Sequence, residues 1–387
     1  MDFNKFKNLT DNIDISQSDI DYVIDALRHK DISWPNGYTK KLEIAVANFL
    51  NCKYVVAHCN GTSALYSAIS ALDLHSGDEV ICPSYTWWSS AAPVVNLGLQ
   101  LVFCEINNNL TVDFSDIEKK INKKTKAIII PHLWGNMNNI IRLKEILKKH
   151  SSRKIFIIED ASHVFGGKYK NKFLGTFGDI GIFSMQKNKF LTSGEGGLLV
   201  TDNKKLFLKS LFLGHYERIK KNTIVSNDID KTINIGGGYK FRIHPLASAL
   251  AFSQLKKIKS KQSSQNRLMK HVKKEISKFP HLTIHGEYIS GYIPGGMYSL
   301  RISLDYTFSK KQLEFMFKKF NIYREYLLLL HLESFFSRAK FVGRRALPNT
   351  EKIYSNLYSF PIFYRGSVKE INEYLIDLKY FLHSLKE

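Results

Sequence analysis

Seven continuous apolar runs separated by helical segments constrain the fold of this 387-residue chain more than any other feature. The runs are KYVVAH (53–58), DEVICPS (78–84), LQLVFCEI (99–106), KAIIIPHLW (126–134), KIFIIED (154–160), DIGIFSM (179–185) and GGLLVTD (196–202). Uninterrupted apolar strands are typical of a sheet covered on both faces, and strands that alternate with helices favour parallel pairing. We therefore predict an α/β domain with a mostly parallel, seven-stranded sheet sandwiched by helices.

The chain is too long for one ordinary core, so we predict two domains. Residues 1–260 form the large domain and residues 261–387 form a smaller α+β domain, with a long helix over 244–276 leading out of the first. The smaller domain is predicted from three strand-like segments and a final amphipathic helix. These are HLTIHGEY (281–288), MYSLRISLDY (297–306), SNLYSFPIF (355–363) and KEINEYLIDLKYFLHSL (369–385).

Composition and charge indicate the cellular compartment of the protein and the kinds of ligand it can bind. The amino terminus is polar, no window approaches 18 uncharged apolar residues, and the four cysteines lack C-x-x-C or zinc-type spacing. We therefore expect a cytoplasmic protein with no membrane segment and no metal site. The formal charge of +21 suits phosphorylated ligands. The lysines are dispersed, however, so the charge could also reflect lysine-rich codon usage across the genome and no binding site. Because basic residues and aromatics do not cluster on one element, we expect no nucleic-acid partner.

Ligands of an open α/β sheet bind beyond the carboxyl ends of its strands, and the first candidate there is CNGTSAL (59–65). Gly61, Thr62 and Ser63 follow a strand and open a helix, where free backbone N–H groups and hydroxyls can bind an anion. The same residues would also serve as a plain helix cap. The segment thus predicts either an anion site or a cap.

Two more strand ends carry candidate ligands. PSYTWWSSAAP (83–93) contains Trp87 and Trp88, of which at most one can offer its face to a planar ligand, and both could instead pack in the core. FIIEDASH (156–163) ends in carboxylates, with His163 three residues after Asp160. Because a buried carboxylate is costly unless it is paired, we favour a functional role for this strand end.

The stretch SMQKNKFLTSGEGG (184–197) adds two lysines, Lys187 and Lys189, ahead of a glycine-rich turn. Together the four features offer an anion cradle, a stacking plane, a carboxylate for a pyridinium nitrogen and an amine for a Schiff base. Pyridoxal 5′-phosphate requires these groups. We predict that this cofactor binds here.

These motifs, taken in order, resemble the DegT/DnrJ/StrS family of sugar aminotransferases, which are fold type I pyridoxal-phosphate enzymes. The resemblance runs from WPNGYTKKLEIAVANFL through NGTSAL, GDEVICPSYTW, EDASHVFGG, FSMQKNKFLTSGEGG and GYKFRIHPLASALAFSQL to ALPNTEKIYSNLYSFPIF. Each motif is weak by itself, but their order and spacing are specific. The resemblance implies an aspartate aminotransferase-like fold and homodimers with shared active sites.

The resemblance also implies roles for single residues. The family spacing from Ser184 to Gly194 makes Lys189 the Schiff-base lysine and leaves Lys187 as a solvated charge or a contact to an anionic ligand. Asp160 is expected at the pyridine nitrogen and Trp87 on the ring. The remaining expected contacts are Ser184, Thr62 and Ser63 to the phosphate, His163 near the phenolic oxygen, and Lys240 to the phosphate of the neighbouring subunit. Lys240 stands where the family has Asn.

The resemblance predicts transfer of an amino group from glutamate or glutamine to a phosphorylated or nucleotide-linked keto sugar, in surface carbohydrate biosynthesis. A keto cyclitol and a small phosphorylated ketone are alternative acceptors. From other classes, a regulatory or nucleic-acid-binding protein on the same fold remains open. A nicotinamide-dependent oxidoreductase is disfavoured because no G-x-G-x-x-G follows the first strand.

Overall fold

The computed structural model describes most of the chain. The described residues are 6–11, 13–33, 36–150, 154–215, 218, 237–286, 289–296, 298–337 and 347–384. Parts of five predicted features therefore lie outside the described residues. They are residues 34 and 35 of the amino-terminal motif, residue 346 of the last motif, residues 287, 288 and 297 of two predicted strands, and residue 385 of the final helix.

The seven apolar runs form one seven-stranded sheet, as predicted. Its strands are β1 Tyr54–His58, β2 Glu79–Pro83, β3 Gln100–Cys104, β4 Thr125–Pro131, β5 Phe156–Asp160, β8 Ile180–Ser184 and β9 Gly197–Thr201. The short strands β6 Lys168–Tyr169 and β7 Lys172–Phe173 come between β5 and β8 along the chain and belong to a separate sheet. The spatial order is β1-β9-β8-β5-β4-β2-β3. Strands β3, β2, β4, β5 and β8 pair in parallel, and β9 runs antiparallel to both β8 and β1.

Helices cover both faces of this sheet. The large-domain helices are α2 Gln17–Arg28, α3 Gly37–Leu50, α4 Gly61–Ser70, α5 Trp88–Asn96, α6 Phe114–Lys120, α7 Ile140–Lys148, α8 Lys204–Ser210 and α9 Pro245–Lys256. The short helix α1 Lys7–Thr10 precedes them and packs its Leu9 against carboxyl-terminal residues instead. Alternate residues of β4 enter separate cores: Ile128 and Ile130 face one, whereas Ala127 and Ile129 face the other. Both faces of the sheet are thus apolar and buried, which explains the uninterrupted apolar runs. No helix in the described ranges is long and apolar enough to cross a membrane.

The long helix predicted over 244–276 is two helices, α9 and α10 Ile258–Ile276, which meet at Lys257. Ile258 packs in a core of the large sheet, whereas Val272 and Ile276 pack in the carboxyl-terminal core. The prediction of one continuous helix is therefore wrong. The helix breaks where the chain passes from one core to the other.

The carboxyl-terminal part holds a four-stranded sheet of order β10-β12-β14-β13. Its elements are β10 Leu282–His285, β12 Leu300–Leu304, α11 Lys310–Phe320, β13 Tyr323–Arg324, α12 Pro348–Tyr354, β14 Leu357–Phe360 and α13 Val368–His383, and β11 Tyr292–Ile293 pairs with β6 instead. Phe6 and Leu9 from the amino terminus also pack in this core. The division at residues 260 and 261 remains a prediction.

We predict that the packing of β8 tolerates no side chain at Gly181. A Cβ there would lie 1.8 Å from the carbonyl oxygen of Gly175, a backbone atom that cannot rotate away. Gly181→Ala should lower the free energy of unfolding by about 3 kcal/mol, measured by denaturant unfolding. Gly77→Ala is the control, because Gly77 has a φ of +93° but open space around it, so about 1 kcal/mol is expected. Equal losses for the two variants would contradict the steric account.

Candidate active site

A cavity of about 340 Å³ opens at the carboxyl ends of β2, β4, β5 and β8. Parallel strands bring these ends to one edge of the sheet. Seven of the predicted site residues line the cavity, namely Gly61, Thr62, Trp87, Asp160, His163, Ser184 and Lys189. Ser63 and Lys240 are not among its lining residues. The structure therefore gathers most of the site that the sequence predicts.

The amino terminus of α4 forms the wall expected to bind an anion. The N–H groups of Gly61 and Thr62 have no acceptor within the described part of the chain, and Ser184 lies directly opposite. A Cβ on Gly61 would lie 3.1 Å from the Cβ of Ser184, so glycine permits this close approach. The arrangement leaves helix N-terminal donors and the Ser184 hydroxyl for a phosphate.

Ser63 does not join that wall, which corrects the expectation that its hydroxyl meets the phosphate. Its hydroxyl donates to the carbonyl of Asn60 at 2.8 Å, and its N–H donates to Asn60 Oδ1 at 2.7 Å. Ser63 is therefore the third residue of a capping box, buried to 3% exposure. For this residue the cap is what the structure shows.

Only one of the two carboxylates at the end of β5 faces the cavity. Glu159 points the other way, accepting from His132 Nε2 at 3.0 Å and from the N–H of Gly175 at 2.9 Å. Asp160 Oδ2 accepts from the Ser90 hydroxyl at 2.7 Å and Oδ1 from the N–H of Ser162 at 3.2 Å. Since a carboxylate accepts about four hydrogen bonds, Asp160 keeps acceptor capacity for a ligand.

The two lysines of SMQKNKFLTSGEGG are distinguished by their surroundings. Lys187 is exposed and does not line the cavity, whereas the Lys189 amine lies 4.2 Å from the ring centroid of Tyr298 inside it. Burial lowers the pKa of the Lys189 amine to about 8, and Asp160 raises it in part. A pKa of about 8 leaves roughly one amine in ten neutral at pH 7, far more than for a free lysine.

His163 enters the cavity as a neutral ring. Its Nδ1 accepts the backbone N–H of Trp134 at 3.1 Å, and its ring stacks on Tyr298 with centroids 4.2 Å apart. Burial lowers the pKa of His163 well below its usual value, and the nearby charges of Lys189 and Arg301 lower it further. His163 can therefore act as a hydrogen-bond donor without carrying charge.

Sequence reasoning missed Trp134 and Tyr298 as lining residues. The sequence placed Trp134 at the end of a strand, but β4 stops at Pro131, and Trp134 lies in a short turn with a left-handed φ of 59°. Its position just beyond a strand end is the signal that could have found it. Tyr298 comes from the distant carboxyl-terminal part, and no local signal marks it.

Trp87 and Trp88 both line an adjoining apolar groove, but of the two only Trp87 also lines the cavity. Trp87 is 41% exposed, and Trp88 begins α5. Lys240 is exposed and away from the cavity of its own chain. Its predicted contact therefore requires a second subunit and remains a prediction.

The residues of the cavity fit pyridoxal phosphate. The α4 terminus offers donors to a phosphate, Asp160 offers an acceptor, Trp87 offers an aromatic face, and Lys189 offers an amine. Among the described residues no cluster of His, Cys, Asp or Glu could hold a metal ion. Fold and site together define a pyridoxal-phosphate enzyme with the aspartate aminotransferase-like architecture.

Comparisons with known proteins agree. The sequence profile of the DegT/DnrJ/EryC1/StrS aminotransferase family matches residues 13–375, so the chain belongs to this family and is a pyridoxal-phosphate-dependent aminotransferase. GDP-perosamine synthase of Escherichia coli O157:H7 is 34% identical over 269 residues, 69% of this chain and 70% of that protein. L-glutamine:2-deoxy-scyllo-inosose aminotransferase of Streptomyces kanamyceticus is 40% identical over 151 residues, 38% of this chain and 35% of that protein.

A solved structure shows the same fold. The E. coli GDP-4-keto-6-deoxy-D-mannose-3-dehydratase with bound hydrated PLP superposes with a TM-score of 0.83 and 22% identity, covering 95% of this chain and 98% of that one. The α/β architecture with a mostly parallel sheet and a smaller carboxyl-terminal sheet is thereby confirmed.

We predict that the cofactor-free protein captures pyridoxal phosphate through Lys189 with a pH midpoint of about 8, the pKa of this amine. Only the neutral amine attacks the aldehyde, so capture should accelerate as pH rises through this value. Stopped-flow absorbance measures the rate, and borohydride followed by peptide mapping locates the label. Lys187→Ala is the control and should label normally. Label at Lys187, or a midpoint above 10, would contradict the assignment.

Proposed function

We propose that the chain transfers an amino group from glutamate or glutamine to the keto group of a nucleotide-linked sugar, in surface carbohydrate biosynthesis. The observation that carries the proposal is the buried Lys189 amine, with its pKa of about 8, in one cavity with Asp160 and the α4 terminus. The relative that makes GDP-perosamine supports a nucleotide-linked acceptor. The four free cysteines support a cytoplasmic location.

Each residue has a task that its surroundings allow. Bound pyridoxal phosphate would supply an aldehyde and an electron-withdrawing ring. Lys189 holds that group and moves a proton at Nζ, since an amine with a pKa of about 8 both accepts and returns protons near neutral pH. Asp160, held by Ser90 and Ser162, would accept the hydrogen bond of a protonated ring nitrogen. Gly61, Thr62 and Ser184 would hold the phosphate.

Lysine at position 189 supports transamination over the other chemistry of the family. The family also has a dehydratase branch, which is expected to carry histidine at the matching position. The solved structure described above is named as a dehydratase. A histidine cannot form the covalent link or return the amine in the same way. The chain has Lys189 there.

A keto cyclitol is the second candidate acceptor. The similarity to a 2-deoxy-scyllo-inosose aminotransferase favours it, since identity reaches 40% over the 151 residues matched. The match covers 38% of this chain, whereas the perosamine synthase match covers 69%, so the sugar acceptor remains the first choice.

Amination assays with both acceptor classes test the proposal. We predict that GDP-linked 4-keto-6-deoxymannose is aminated with a kcat/KM at least about tenfold above that for 2-deoxy-scyllo-inosose. Product formation with glutamate or glutamine is followed by mass spectrometry. Lys189→Ala should abolish turnover, whereas Lys187→Ala, which alters a residue outside the cavity, should keep it. Amination of the cyclitol alone would select the second candidate, and failure of both acceptors would overturn the proposal.

We further propose a homodimer whose subunits complete each other's sites. Beside the cavity lies a groove of about 500 Å³, lined by exposed apolar side chains such as Trp88, Leu328 and Phe335. Apolar surface of this kind is expected to be covered by a partner. Lys240 lies outside the cavity of its own chain, which supports a contact to the neighbour's phosphate.

Subunit mixing tests this arrangement. We predict that Lys240→Ala weakens cofactor binding about tenfold, by loss of one charge-assisted contact. Mixing the Lys189→Ala and Lys240→Ala chains at limiting cofactor should restore about a quarter of wild-type activity. The reason is that half of randomly formed dimers are mixed, and each of these has one intact site. No recovery on mixing would show that Lys240 acts within its own chain or not at all.

A further inference from the structure

An ion pair is buried behind the cavity, between Arg301 of β12 and Glu325, which follows β13. Their side chains are 0% and 1% exposed. Arg301 donates through Nε to Oε2 and through Nη2 to Oε1, the latter at 3.2 Å. Because a buried ion pair often stabilises a fold no more than apolar residues would, its presence here calls for another reason.

The pair holds two aromatic residues that lie just beyond the ends of β2 and β4. Glu325 Oε2 accepts the Tyr85 hydroxyl at 2.5 Å, and the same hydroxyl accepts Trp134 Nε1–H at 2.9 Å. The Arg301 guanidinium carbon lies 3.5 Å from the ring centroid of Trp134. The indole is therefore fixed at its edge by Tyr85 and on its face by Arg301.

Trp134 in turn holds His163 through its backbone. Its φ of 59° lies in the left-handed region, which a bulky residue adopts only when its surroundings enforce it. In this conformation its N–H donates to His163 Nδ1 at 3.1 Å. The contacts of Tyr85 and Arg301 that fix the indole therefore also help to orient the backbone N–H that donates to His163.

The accepted hydrogen bond fixes where the His163 proton lies. Nδ1 must be unprotonated to accept an N–H, so the single proton of the neutral ring is on Nε2. No described residue accepts a hydrogen bond from Nε2, and His163 lines the cavity. A donor is thereby left for a group bound in the cavity.

We propose that Arg301 and Glu325 are positioning residues which, through Tyr85 and Trp134, hold His163 as the Nε2–H tautomer facing the cofactor. They touch neither the cavity contents nor Lys189, since neither lines the cavity. The proposal rests on the proposed function in one respect, namely that the group receiving the Nε2–H bond is the cofactor. If the pair served only to join the two sheets, its loss would change stability but leave the tautomer unchanged.

Histidine ¹⁵N spectra of the cofactor-free protein test the tautomer directly. Wild-type His163, assigned by its disappearance in His163→Phe, should give the neutral Nε2–H pattern between pH 6 and 9, a range that brackets the ordinary histidine pKa of about 6.5. Tyr85→Phe cuts the link from Glu325 to Trp134 without unpairing a charge, and it should mix the two tautomers or shift both nitrogens.

The matched control is Tyr374→Phe, which removes a buried tyrosine hydroxyl bond to the carbonyl of Phe320 in the carboxyl-terminal core. Its His163 signals should equal those of the wild type. An Nδ1–H or doubly protonated pattern in the wild type would overturn the proposal. So would a Tyr85→Phe spectrum identical to that of the control.

The cofactor-bound protein gives a second readout, the pH midpoint of its visible absorbance. A donor in the cavity stabilises a deprotonated group bound there, so Tyr85→Phe should raise the midpoint by about half a unit or more. In a His163→Phe background the same change should have no effect, because the mediator is gone. An equal shift in both backgrounds would show that Tyr85 acts by another route.

If Tyr85→Phe does not fold, Arg301→Met with Glu325→Met replaces it, since this double variant leaves no buried charge unpaired. The same spectra and midpoints are expected from it, and wild-type values in both would overturn the proposal. A wild type that fails to bind pyridoxal phosphate at Lys189 would overturn the proposed function instead. The histidine spectra of the cofactor-free protein would still decide the role of the pair.

Discussion

The site depends on the close backbone approach between the start of α4 and strands β8 and β9. A Cβ on Gly197 would lie 2.3 Å from the carbonyl oxygen of Asn60, so the strand can lie against the helix terminus only with glycine there. Gly197 pairs with His58 on one side and Ser184 on the other. The α4 donors and the Ser184 hydroxyl are thereby placed against each other by backbone packing, independently of any ligand.

The same approach fixes the loop that carries Lys189. The loop leaves the sheet after Ser184 and returns at Gly197, and it is tied across its base by Met185 N–H to the carbonyl of Gly196 at 2.7 Å and by Ser193 N–H to that of Met185 at 2.9 Å. A loop closed this tightly has few conformations. Lys189 is therefore held over the cavity by the backbone, which suits an amine that must meet one ligand atom.

The sequence predicted the large sheet well and the site in part, for physical reasons. Strands covered on both faces must be apolar throughout, so β4 and β5 were visible from composition alone. Asp160 was visible because a carboxylate at such a strand end needs an explanation. The Ser63 hydroxyl could not be assigned, since a helix cap and a phosphate site require the same residue types. The break at Lys257 lies where the chain passes from one core to the other, which no local pattern records.

Residues from distant parts of the chain could not be predicted at all. Tyr298 and Arg301 lie more than a hundred residues from Trp134 and His163, yet rings and guanidinium form one stack in which His163 contacts Tyr298 and Trp134 contacts Arg301. Neither Tyr nor Arg in MYSLRISLDY departs from an ordinary strand pattern. Their role is created by the docking of the smaller sheet, which only tertiary structure specifies.

The pKa of the Lys189 amine results from two opposed effects. Burial lowers the pKa of its amine to about 8, and the neighbouring Asp160 carboxylate raises it in part. A drier cavity without Asp160 would leave the amine more neutral but would remove the acceptor for a ring N–H. A wetter cavity would raise the pKa of the amine and slow its attack on an aldehyde. Tyr298 and His163, stacked against each other beside the amine, keep water from that side while adding no full charge. The aromatic wall, to which the carboxyl-terminal part contributes Tyr298 and the end of β5 contributes His163, is therefore part of what sets the pKa of the lysine.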